Sequence, residues 1–225
     1  MKWKSLLAMV LTLSISTVTL SNTRVEQKRR VRLHELRAST SSHIHVTLLE
    51  RAFLDAVAIL ETPNACSDFF GGSKSARVLD ELVVTLKSGG GADFRVAVRM
   101  SGPFVVYDNG SGFLYRLFDK AELNWSGAFY RAKTFPSDAP IPNVGSFQPN
   151  TRQARVLILL HELAHLIRSD TGRWLIPDDG RSPELSRSNT RTIESKCKQE
   201  IRASTKDFLE VLQKGRRFVN EVQNE

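Results

Sequence analysis

From Val46 to Leu60 the apolar side chains fall at Leu49, Ala52, Phe53, Ala56, Ile59 and Leu60, one face of a helix that ends before Pro63. Past Cys66 and the Gly71-Gly72 turn, a second helix is predicted from about Lys74 to Leu86, stopped by Gly89-Gly90-Gly91. The period then shortens to two. Phe94 to Arg99 alternates, Phe104 to Tyr107 is β-branched and aromatic, and Asn109-Gly110 leads into Phe113-Leu114-Tyr115, so a small antiparallel sheet with a hairpin at Asn109-Gly110 is expected. Phe104 to Tyr107 reads as a core strand, with a sheet edge that binds an extended substrate as the other reading. The proline-rich segment from Phe135 to Pro149 predicts a surface loop.

From Thr151 to Arg168 the pattern is helical, and Val156 to Ile167 is apolar nearly all round. A helix of this kind has to be buried. A last helix is expected from Asn189 or Thr190 onward, through Ile193, Cys197, Ile201, Phe208 and Leu212, with basic residues on its outer side. The expected fold class is α+β: a buried helix beside a small antiparallel sheet, closed by a C-terminal helix.

Inside the buried helix stands His161-Glu162-Leu163-Ala164-His165, the H-E-x-x-H arrangement. Residues four apart lie one turn apart on the same helical face, so two imidazoles can grip one tetrahedral ion. Glu162 lies about a quarter-turn from His161, where it can take a proton from a water on the ion without being a ligand. Two histidines and a glutamate in an apolar helix are costly to bury unpartnered, and a metal partners all of them. His34-Glu35-Leu36-Arg37-Ala38 opens in the same way but has Ala38 at the second ligand position, and its polar surroundings read as linker. His43 and His45 would share one face of a strand and are expected to be a surface pair.

On these residues the chain resembles the zincin metallopeptidases, closely from Val156 to Ile167 and loosely in the order of elements around it, and it is similar to secreted bacterial H-E-x-x-H proteins. The resemblance implies Zn2+ as cofactor, His161 and His165 as ligands, Glu162 as catalytic base, and hydrolysis of peptide bonds. Metzincins carry Gly and His where this chain has Arg168 and Thr171, and Pro183-Glu184-Leu185 lacks the thermolysin-like Asn-Glu-x-x-x-Asp pattern. Downstream carboxylates at Asp170, Asp178, Asp179, Glu184 and Glu194 are the candidates for a third ligand. Asp170 is too near the end of the helix to turn back, and Glu184 is expected in a polar, Pro- and Ser-containing loop. Glu194 flanks the apolar face of the last helix; Asp178 and Asp179 follow the apolar Trp174-Leu175-Ile176-Pro177 and precede Gly180, where a tight turn aims a short carboxylate. Likeness to secreted zincins that use an Asp after the second His selects Asp179, with Glu194 the alternative. Tyr107, Tyr115 and Tyr130 are the tyrosines available to stabilise an oxyanion.

Residues 1–21 run from Lys2 and Lys4 through the apolar Leu6 to Leu13 to small polar residues, the build of a secretory signal peptide, with an uncleaved anchor as the rival. Residues 22–44 read as a basic linker and 45–225 as one metallohydrolase domain, outside the cytoplasm, secreted or periplasmic. In that compartment Cys66 and Cys197 are expected to form a disulfide. The net charge of +8 falls to about +6 without Lys2 and Lys4, and no nucleic-acid motif accompanies it, so it reads as solvated surface. The expected partner is a protein or peptide substrate. A zinc protein without catalysis, or a metallohydrolase acting on another acyl bond, would share the motif.

Overall fold

In the computed structural model, residues 43–89, 93–109, 112–180 and 182–222 are described, with side chains from 48 to 204. The signal segment, nearly all of the basic linker and the His34-Glu35 stretch lie outside the described residues. Among the described residues, five helices and three strands follow in the order α1 (His43–Glu61), α2 (Ala65–Phe70), α3 (Ser73–Thr85), β1 (Leu86–Gly89), β2 (Val98–Asp108), β3 (Leu114–Asn124), α4 (Arg152–Leu166) and α5 (Pro183–Val222). The class is α+β.

Helix α4 forms the centre of the core. Thr151 caps it, its hydroxyl accepting from Ala154 N at 3.2 Å. Every residue from Ala154 to Leu166 except Glu162 is buried, as an apolar helix without a solvent face requires. Ala52, Ala56 and Leu60 of α1, Val78 and Leu79 of α3, and Ile193 and Ile201 of α5 belong to the same core. The Asp55–Arg152 ion pair joins α1 to the first turn of α4.

The expected antiparallel sheet is mixed instead. Its order is β1-β3-β2, with β2 antiparallel to β3 and β1 parallel to it. Four residues, Leu-Lys-Ser-Gly, are too few to declare a strand by alternation, and β1 continues directly from α3. Phe94 to Ala97 precede the sheet, because Asn124 Nδ2 donates to Asp93 O and Val96 O at 2.9 Å and holds that segment in turns. Asn109 N pairs with Phe113 O at the expected hairpin. Strand β2 is an edge, not a core strand: Phe104, Val105, Val106 and Tyr107 are all exposed. His43 and His45 lie on a helix and not on a strand.

Helix α5 starts at Pro183, about two turns before the expected position. The sequence carries the signal: Ser182 Oγ accepts from Leu185 N at 3.2 Å, and proline suits the first helical position, where an N–H would have no partner. Glu184 is therefore in a helical first turn and not in a loop. Cys66 also sits on a helix, α2, capped by Asn64 and ended by Gly71 in the left-handed region at φ 83°.

Cys66 and Cys197 form a disulfide across 131 residues of chain, both fully buried, joining α2 to α5. Closing so long a loop restricts the unfolded chain, and replacing both cysteines by serine is expected to cost about 2–4 kcal/mol. Thermal unfolding would report this as a midpoint lowered by about 10 °C. No helix among the described residues is long and apolar enough to cross a membrane.

Candidate metal centre

The helix turn between His161 and His165 places both imidazoles on one face of α4, with Nε2 atoms 3.1 Å apart. After α4 the chain reverses. Ile167 bridges to Tyr115 and Arg168 to Trp174, and Leu175 N donates to Ile167 O at 3.0 Å. This short return carries Pro177-Asp178-Asp179 back to the histidines, and Gly180, at φ 57°, turns the chain toward α5. Asp179 Oδ2 lies 3.0 Å from His161 Nε2, and its Oδ1 lies 3.6 Å from His165 Nε2. The three ligand atoms fall within 4.8 Å of one another and could hold a metal ion.

The other candidate carboxylates are engaged elsewhere or exposed. Glu194 accepts from Ser146 N at 3.1 Å, from Ser146 Oγ and from Lys198 Nζ, an assembly that holds the 144–147 turn against α5. Glu184 pairs with Arg187 on the surface, and Asp170 is exposed. Asp178 pairs with both terminal nitrogens of Arg116. Among the tyrosines, Tyr115 directs its hydroxyl to Glu81 at 3.1 Å, and Tyr107 stacks on Tyr115.

Three residues outside the motif support the group. Arg116, on β3, is 2 % exposed; its Nε donates to His165 O at 2.9 Å while its guanidinium holds Asp178 and stacks on Trp174 at 4.2 Å. Asn189 and Thr190, on α5, reach Asp179 and His161. No nearby histidine or cysteine marks them in the sequence. One signal was legible: Asn189, Thr190 and Glu194 share the helical stripe of Ile193, Cys197 and Ile201, and polar groups on a core-facing stripe need partners.

No known protein family, curated protein or solved structure matches this chain.

The donor set fits a cation for a specific reason. With its proton directed to Ser186 O, 2.9 Å away, the Thr190 hydroxyl accepts from His161 Nδ1 at 3.1 Å. In that arrangement His161 carries its proton on Nδ1 and presents a lone pair on Nε2. That lone pair faces a carboxylate oxygen at 3.0 Å and a second imidazole nitrogen at 3.1 Å. Electron-rich atoms this close need positive charge between them. His165 Nδ1 is buried without a hydrogen-bond partner, and the nearest carboxylate oxygen, from Asp178, is 3.8 Å away.

Electrostatics separate the two acids. Burial works to raise the Asp179 carboxyl, but the two histidine side chains beside it outweigh burial and hold the group far below the ordinary carboxylate range. Burial pushes the Glu162 carboxyl up to about 7, with His161 lowering it and Asp179 raising it in smaller measure. A cation beside it would favour the ionised form. One acid is thus kept as an anion while the other is a proton acceptor of moderate strength.

Comparing Asp179→Ala with Glu194→Ala distinguishes the two expected ligands. Metal affinity measured against a competing chelator should collapse in the Asp179 variant and stay near wild type in the Glu194 variant. The reverse pattern would transfer the third position to Glu194.

Proposed function

We propose that the chain is a zinc-dependent metallohydrolase of the zincin type that cleaves peptide bonds outside the cytoplasm. The observation that carries this reading is the convergence of His161 Nε2, His165 Nε2 and an Asp179 oxygen on one point, with Glu162 next to His161 on the same helix. Two imidazoles and one carboxylate make a set of three protein ligands, the number typical of catalytic zinc with an open fourth position. Zinc, when bound, supplies Lewis acidity toward a carbonyl and acidifies water.

The protein's own residues do the rest. His161, His165 and Asp179 hold the ion, and Glu162 stays outside the ligand set. The Glu162 carboxylate accepts the proton of the attacking water and returns it to the leaving amine. No donor among the described residues pairs with that carboxylate, which leaves it available for both transfers. The exposed run from Phe104 to Tyr107 on edge strand β2 supports an extended peptide as substrate, since backbone groups at a sheet edge can pair with one more strand. The buried disulfide supports an oxidising compartment, hence secretion or the periplasm.

Metal analysis of the purified chain tests this reading, followed by chelation and readdition in an assay offering proteins, peptides and esters. Equimolar zinc and peptide hydrolysis that follows the metal are expected. A closed four-ligand site would overturn the catalytic reading, and cleavage of esters alone would overturn the peptidase assignment.

A further inference from the structure

We infer that the Asn189-Thr190 step of α5 is the positioning element of the metal centre and sets its affinity for the ion from outside the H-E-x-x-H helix; this rests on the reading of His161, His165 and Asp179 as ligands. Two adjacent residues of one helix reach two different ligands. Thr190 Oγ1 lies 3.1 Å from His161 Nδ1, and Asn189 Nδ2 donates to Asp179 Oδ1.

Each contact removes one freedom that a ligand would otherwise have. With its proton on Ser186 O at 2.9 Å, the Thr190 hydroxyl offers His161 Nδ1 a lone pair at 3.1 Å, which favours the Nδ1–H tautomer and leaves Nε2 for the ion. The same bond locks the rotamer of Thr190 against its own helix. Asn189 has two amide hydrogens and uses both on the ligand loop. One goes to Pro177 O at 2.8 Å and fixes the backbone before the two aspartates; the other goes to Asp179 Oδ1 and turns Oδ2 toward His161.

The base from which these side chains reach is itself fixed. Asn189 is buried, and on the same stripe Ile193, Cys197 and Ile201 are fully buried, with Cys197 tied to α2 by the disulfide. The Asn189 and Thr190 side chains thus reach the site from a helix that this packing and the disulfide hold in place. In the sequence they lie 28 and 29 residues beyond His161, far outside the span of the motif.

The test is zinc affinity of the purified full chain, read by competition with a chromophoric chelator, together with the thermal midpoint of the metal-free protein. Thr190→Val keeps the volume and removes the hydroxyl, and should bind zinc about 10–100-fold more weakly. Asn189→Ala should show a loss of the same order. Thr190→Ser keeps the hydroxyl and should stay near wild type. A role confined to packing would lower the metal-free midpoint and leave the affinity unchanged. If Thr190→Val does not accumulate as folded protein, Thr190→Ala carries the same expectation. Wild-type affinity in a folded Thr190→Val or Thr190→Ala chain would overturn the inference, whereas a wild-type chain that takes up no zinc would overturn the metal reading beneath it.

Discussion

Glu162→Gln is expected to retain the zinc ion while hydrolysis falls by about two to four orders of magnitude, the range that a positioned general acid–base supplies. The side chain is not among the three converging ligand atoms, so the ion keeps all of its protein donors. Glutamine has the same shape and a similar volume, and the packing around α4 has no reason to change. What it lacks is basicity: an amide oxygen does not take a proton from water near neutral pH. Because burial pushes the Glu162 carboxyl up, the neutral amide also replaces a charge that was costly to bury. The variant should therefore be at least as stable as the wild type in the metal-free state. Metal content and turnover measured on one preparation decide the matter. Loss of zinc together with activity would place Glu162 among the ligands, and undiminished turnover would remove it from the mechanism.

The parts of this molecule that were legible in the sequence are those whose cause is local. Val156 to Leu166 is apolar on every side, so both the burial of α4 and the placement of His161 and His165 on one face follow from a single turn of helix. The Cys66–Cys197 pair was legible because only two cysteines exist to be paired. The less legible parts depend on contacts between distant segments. Strand β1 has four residues and takes its character from pairing with β3, about 35 residues away. Arg116 reads on the sequence as one more basic residue in a strand, yet it is buried between Trp174 and the ligand loop, where its Asp178 partner compensates the charge. The early start of α5, by contrast, has a local cause, since Ser182-Pro183 is a helix opening that can be read without any tertiary information.

Exchange of both His161 and His165 for alanine should abolish zinc binding and, with it, the stabilisation that zinc confers on the folded chain. A ligand that binds only the native state stabilises it according to its free concentration. At a thousand times the dissociation constant this amounts to about 4 kcal/mol. For a chain of this size each kcal/mol moves the midpoint by about 2–4 °C, so saturating zinc should raise the wild-type melting temperature by about 8–16 °C. The double variant leaves Asp179 as the one converging donor, and its midpoint should not respond to zinc. Its metal-free stability is a separate quantity with opposing contributions. Removing the imidazoles opens a cavity and strands the Thr190 and Asp179 partners, but it also relieves the crowding of two imidazole nitrogens and a carboxylate within 3.0–3.6 Å. The zinc-induced shift is therefore the informative measurement. In Glu162→Gln the shift should persist in full, which would separate a proton-handling role for Glu162 from the ion-holding role proposed for His161 and His165. A double alanine variant that still takes up one zinc per chain, or still melts higher in its presence, would mean that the ion binds elsewhere and that the H-E-x-x-H face of α4 is not the metal site.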